Sequence, residues 1–129
     1  MSRSSSTTPS NAAGYDGYHP NRSRVSASAL ADFIRAPVTG NLREVPGIGE
    51  VTAKLLAKDG VDTTHALLGK FLTMKTAGVG TVEHMDRFYL WLLSLGTPAG
   101  YRAGICRAIA EKTNTWVPSI YDEGEYCMA

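Results

Sequence analysis

The chain has 129 residues, 43% of them apolar, and a formal net charge of +1, which gives room for one domain of ordinary size with a core over part of its length. Its longest apolar stretch, interrupted by Arg87 and Ser94, falls short of the roughly 20 residues that cross a bilayer, so no membrane insertion is expected. The Ser/Thr-rich start has no apolar segment of a secretory leader, so Cys106 and Cys127 are expected to be free thiols of a soluble intracellular protein.

Residues 1–24 are rich in Ser, Thr, Pro, Gly and Asn, with scattered Tyr and no apolar period, the composition of a disordered arm. Order is expected from Val25. Ser26 or Ser28 is placed to cap a first helix whose Leu30, Phe33 and Ile34 share a face, and Pro37 stops it. After the connector Val38-Thr39-Gly40, Asn41 and Glu44 have capping-box spacing for a short helix from Leu42 to Val45. The turn Pro46-Gly47-Ile48-Gly49 follows. Glu50 to Lys58 resumes helical spacing, with Val51, Leu55 and Leu56 predicted inward, Lys54 and Lys58 outward, and Gly60 as the left-handed terminator.

Asp62 is expected to cap the next helix, which runs to about Met74 and buries Ala66, Leu67, Phe71 and Leu72 before Ala77-Gly78-Val79-Gly80 breaks the chain. Thr81 is the expected cap of the most strongly patterned helix. There Met85, Phe88, Tyr89, Leu92 and Leu95 form one stripe that Trp91 and Leu93 widen, which predicts the central helix of the core. Gly96 to Gly100 is a second tight turn. Tyr101 to Lys112 then forms a final helix with Ile105, Ala108 and Ile109 inward, and beyond Asn114 the pattern dissolves into an acidic tail over 115–129. No useful period-2 segment occurs, so the fold class is all-α, a compact bundle of five or six short helices over residues 25–114.

Function is carried by Leu42-x-x-Val45-Pro46-Gly47-Ile48-Gly49-x-x-Thr52-Ala53-x-x-Leu56, the helix-hairpin-helix pattern of apolar anchors around a Gly-apolar-Gly turn. Gly47 and Gly49 are expected to permit backbone conformations and approaches that a β-carbon forbids, with Ile48 inward and Ala53 letting the helices cross closely. The turn and the start of the second helix then present unpaired N–H groups at the positive end of a helix dipole, a site for a phosphate to which Lys54 adds charge. Contacts of this kind go to the sugar-phosphate chain, so the binding is expected to be nonspecific in sequence. The charge is uneven: residues 1–45 hold five arginines against Asp16, Asp32 and Glu44, residues 46–118 hold eight basic and six acidic side chains, and Asp122, Glu123 and Glu125 make the tail acidic. A body this mildly basic must rely on backbone amides and a few well-placed cations.

With its flanks, the segment resembles the barrier-to-autointegration factor family. The resemblance rests on Asp32-Phe33-Ile34-x-x-Pro37, Gly47-Ile48-Gly49-Glu50-Val51, Gly60-x-Asp62, and Leu68-Gly69-x-Phe71-Leu72-x-x-Lys75, and spans roughly Val25 to Lys112. It implies a SAM-like helical fold in a nuclear and cytoplasmic, chromatin-associated protein without enzymatic activity or cofactor. It further implies a homodimer that bridges two double-stranded DNA molecules, with LEM-domain, lamin and histone proteins as partners. By position the family's DNA contacts fall on Gly47, Gly49, Val51 and Thr52, on Ser28 and Ala29, and on Pro98, Ala99 and Gly100. Ala29, Gly100 and Leu55 stand where the family has lysine, and Arg22, Arg24, Arg35 and Arg102 lie near enough in sequence to substitute. The connector before the hairpin is one residue shorter, and both tails are additions. The family's N-terminal Ser/Thr phosphorylation, which releases DNA, falls in the neighbourhood of Ser26 and Ser28, where added negative charge repels a phosphate strand.

Two other readings use the same residues. A repair or recombination enzyme reduced to its DNA-gripping domain needs a nucleophile or carboxylate cluster, and Asp59 and Asp62 are better explained as surface charge and cap. A protein-interaction module would use the hairpin structurally, with Tyr121 and Tyr126 available to a partner. A metal site would need His19, His65 or His84 to converge with Cys106 or Cys127, and no pair has zinc-ligand spacing. Phe88, Tyr89 and Trp91 lie on an apolar stripe, which reads as core in preference to a base-stacking surface.

Overall fold

In a computed structural model, which describes residues 17–126, the first long helix begins where the sequence offers a cap. Ser26 Oγ accepts the amide of Ala29 at 3.1 Å, and α1 runs Ala27–Arg35, burying Phe33. Its end is closed from another part of the chain. The ammonium of Lys112, 2% exposed, donates to the carbonyls of Phe33 at 2.6 Å and Ile34 at 3.2 Å and also to that of Ala36. Those are last-turn carbonyls for which a helix has no internal donor.

A 3-10 turn, Leu42–Glu44, takes the place of the short helix expected to Val45. Asn41 Oδ1 caps it by accepting the Arg43 amide, but Glu44 does not close the reciprocal half of a capping box. Its carboxylate instead accepts the amides of Thr39 and Gly40 and, at 2.6 Å, the hydroxyl of Thr64. Burial pushes the Glu44 pKa up, and these hydrogen bonds outweigh it and hold the carboxyl below its ordinary value.

α2 spans Glu50–Lys58 and ends at Gly60, which has φ +86°. Val51, predicted inward, is 64% exposed, and Thr52 takes the buried position with Leu56 while Leu55 is half-buried. The phase is set by the hairpin crossing and not by apolarity. α3, Thr64–Thr73, is capped by Thr63 Oγ1 on the Ala66 amide at 3.0 Å, one residue beyond the expected Asp62, and Leu72 is exposed. α4, Thr81–Ser94, takes Gly80 as its cap residue, so Thr81 lies one position inside. The Thr81 hydroxyl accepts the Asp122 amide at 3.0 Å.

α5, Ala99–Asn114, starts two residues earlier than predicted and displaces α4 as the centre of the fold. It packs on α1, α3, α4 and the N-terminal segment and is buried on nearly every side, because Ala103, Gly104, Cys106, Ala108 and Ala110 let neighbours approach while Ile105 and Ile109 fill the gaps. α4 supplies Met85, Phe88, Tyr89 and Leu92 to that core, with Trp91 stacked on Phe88. Among the described residues the fold is all-helical, five α-helices with three 3-10 turns, and no helix is long and apolar enough to cross a membrane.

Part of the segment expected to be a loose arm is packed. Residues 17–24 form a strap containing the 3-10 turn Pro20–Arg22, with Tyr18 1% exposed, while 1–16 lie outside the described residues. The acidic tail beyond Asn114, which has no apolar pattern in sequence, is also partly packed, and Cys127 falls outside the described residues. Ser119 turns the chain with φ 75°, and Ile120 and Tyr121 return to the core. The Tyr18 and Tyr121 hydroxyls are hydrogen-bonded at 2.7 Å, and burial pushes both phenols up, Tyr121 to about 12. Tyr121, which the protein-interaction reading made available to a partner, thus pairs with the chain's own N-terminal side.

Candidate nucleic-acid interface

The hairpin needs glycine at one of its two positions. Gly47 has φ +95°, and a Cβ there would meet Ile105 Cγ1 at 3.1 Å, so the left-handed turn and the approach to α5 both select glycine. Gly49 was expected to be constrained in the same way and is not. Its φ is −105°, and a Cβ would meet nothing within 4 Å. The fold leaves that position open.

Ile48 is buried, and its amide donates to the Val45 carbonyl at 3.0 Å, so neither its side chain nor its N–H reaches outward. The available amides begin at Gly49. Gly49 caps α2 with no side-chain hydrogen bond, and the amides of Glu50, Val51 and Thr52 fall in the first turn, where a helix has no internal acceptor. Thr52 is itself buried at the inner edge of this turn, whereas Val51 stands out from the surface. Pro98 likewise caps α5 with no side-chain bond.

These two helix starts share one surface. A depression of about 410 Å³ is lined by Gly47 to Thr52 of the hairpin together with Pro98 and Tyr101 of α5. A second, of about 300 Å³, shares Gly47 and Tyr101 with it and adds Arg24, Ser26, Ala29 and Gly100. The hairpin, the start of α1 and the second turn, which lie far apart in sequence, are thereby neighbours. A third depression, lined by residues 21–24 with Ala99 and Gly100, continues the surface.

Three expected positions stand apart from this lining. Ser28 is exposed with its hydroxyl turned toward Ser26 Oγ at 3.4 Å. Lys54 pairs with Glu50 at 3.1 Å along the outer side of α2, an exposed bridge of small energetic weight. Arg102 Nε donates to the Thr97 carbonyl at 2.9 Å with the guanidinium over the Tyr89 ring, so it braces the turn before α5. Of the substitute cations, Arg35 pairs with Asp32 at 2.8 Å at the other end of α1, while Arg24 lies within the lining.

Tyr101, 55% exposed and common to both depressions, was not singled out from the sequence. Its place three residues after Pro98, at the start of an uncapped helix, was the available signal. The acidic tail sits elsewhere: the Asp122 amide bonds Thr81, Glu123 pairs with Arg107 at 3.6 Å, and Glu125 lies beside Gly80. The histidines are separate. His84 is buried with one ring nitrogen 2.8 Å from the Phe71 carbonyl, and His19 Nδ1 caps the first 3-10 turn. Among the described residues no group of three or more His, Cys, Asp or Glu is placed to hold a metal.

Comparison with known proteins gives one family. The sequence model described as SAM_BAF, Barrier to autointegration factor, matches residues 25–95, a span that contains the hairpin and α1 to α4. Neither the search of curated proteins nor that of solved structures gave a match.

Proposed function

The chain belongs to the barrier to autointegration factor family, a non-enzymatic family of DNA-binding chromatin proteins, and on that basis we propose that it binds double-stranded DNA without sequence preference and bridges two duplexes as a homodimer. The observation that carries the reading is the confluence of the uncapped starts of α2 and α5 on one surface, with Gly49 open above it. Amides at helix starts attract phosphate through both free hydrogens and the helix dipole, and they do so for any base sequence. The residues proposed to face the backbone are Gly47, Gly49, Val51, Thr52, Ala29, Pro98, Ala99 and Gly100, with Ile48 acting through the turn it holds and Ser28, Lys54 and Arg102 at the margin. LEM-domain, lamin and histone partners enter the proposal through the family.

Gly49→Glu tests it more cleanly than a change at Gly47, because a Cβ at Gly49 meets no atom within 4 Å and the position has no positive φ, while the added carboxylate brings negative charge to the start of α2. The parent is expected to bind random duplexes with an affinity that falls steeply with salt, at about 0.9 in log–log slope per phosphate neutralised, and to join two differently labelled duplexes. Gly49→Glu is expected to lose both while keeping its helical circular dichroism. Salt-independent or absent binding by the parent, or undiminished binding by the variant, overturns the reading. Light scattering of the free protein tests the dimer.

A further inference from the structure

The proposed DNA surface is poor in charge: Ala29 and Gly100, at the starts of α1 and α5, carry none, and Lys54 and Arg35 are each held by a neighbouring carboxylate. Arg24 differs. It is exposed, has no ion-pair partner among the described residues, and lines one depression with Ala29, Gly47, Gly100 and Tyr101. One cation thus sits beside both positions where the two helix starts offer none.

Arg24 sits there because the strap is fastened at several points. The Tyr18 amide donates to Asp86 Oδ1 at 2.9 Å, and its ring stands edge-on to Tyr126 and Tyr121. Its hydroxyl bonds Tyr121 across 103 residues of sequence. Arg22 ties back to the Gly17 carbonyl at 3.0 Å, stiffening the turn. At the far end Val25 lies so close to α5 that a Cβ on Gly104 would stand 2.6 Å from its Cγ2. Tyr18, Arg24 and Tyr121 all fall outside the matched span 25–95, so the family match assigns them no role.

Resting on the DNA reading above, we propose that Arg24 is the phosphate-binding cation of this face, and that Tyr121 is a positioning residue that holds it there through the strap. The C-terminal segment thereby takes part in a binding surface it does not touch. Fixing the strap in the free protein removes an ordering cost that a loose arm would meet on binding.

The test uses the full chain and a random duplex of 20 base pairs, followed by fluorescence anisotropy over a salt series. Arg24→Ala is expected to weaken binding at least tenfold and to lower the log–log salt slope by about one contact's worth, near 0.9. Arg24→Lys is expected to retain the slope, and Arg35→Ala to match the parent. Tyr121→Phe, which removes one hydroxyl, is expected to weaken the parent about threefold and to have no further effect in the Arg24→Ala background, the signature of action through one residue. Parental affinity and slope for Arg24→Ala, in a series where Gly49→Glu loses binding, overturns the proposal and leaves the DNA reading standing. A parent that shows no salt-dependent binding overturns both. Additive losses in the double variant overturn the positioning role of Tyr121.

Discussion

Replacing Lys112 by methionine isolates the closure of α1. Methionine keeps a flexible apolar chain of similar length and removes the ammonium that donates to Phe33, Ile34 and Ala36 and stands over the Phe33 and Trp116 rings. A hydrogen bond from a charged donor is worth about 1.5–3 kcal/mol net, and an orphaned buried carbonyl costs about 1–3 kcal/mol. The Phe33 carbonyl is buried, while those of Ile34 and Ala36 are partly so and recover some hydration. Burial also pushes the lysine pKa below its ordinary value, so part of the return from three bonds is cancelled by the cost of holding the charge there. The expected destabilisation is about 2–4 kcal/mol, or a fall in Tm of about 8–16 °C at roughly 4 °C per kcal/mol for a domain of this size. Urea unfolding at pH 7 measures it directly. A change below about 0.5 kcal/mol, the ordinary effect of a surface substitution, would refute the assignment of Lys112 as the C-terminal cap of α1.

Two further outcomes follow. His84 is fully buried beside Phe71, and burial, with Lys75 and Arg87 nearby, holds its pKa below the ordinary value. Its contribution is therefore complete above about pH 6.5 and is lost as pH falls through the lower folded value; the urea midpoint is expected to drop between pH 7 and 5, and an equal drop in His84→Gln would assign the effect to other groups. Ser28→Glu, exposed at the start of α1 and two residues from the capping Ser26, is expected to leave the melting temperature within a few degrees and to weaken duplex binding several-fold at low salt, with unchanged affinity counting against a phosphate strand near α1.

What was legible in the sequence was local. The Ser26 cap, the Pro37 stop, the left-handed Gly47 and Gly60 and the extent of α2 each follow from the chemistry of one or two residues. The phase of α2 was not legible, because Val51 outranks Thr52 in apolarity and only the packing of α2 against the first turn of the hairpin decides which faces inward. α5 was underrated for a related reason. Helical patterning rewards large apolar stripes, whereas this helix is central through alanine, glycine and cysteine, which matter by what they leave room for. At the interface, the hairpin and the second turn were identified separately, and their adjacency, with Tyr101 between them, is a tertiary fact. The packed strap was hidden in a segment of arm-like composition, since its anchors are tyrosines at opposite ends of the described chain.

The contact between Tyr18 and Tyr121 has a consequence for biosynthesis. A polypeptide emerging from the ribosome N-terminus first presents α1 and the hairpin early, but the partner that seats residues 17–24 is made more than a hundred residues after Tyr18. A nascent or truncated product ending before Ile120 would carry an assembled hairpin beside a strap that keeps its Asp86 and Gly104 contacts but lacks the Tyr121 tie. Full grip on nucleic acid would thus be gained near the completion of the folded unit, and premature termination would release a weak binder.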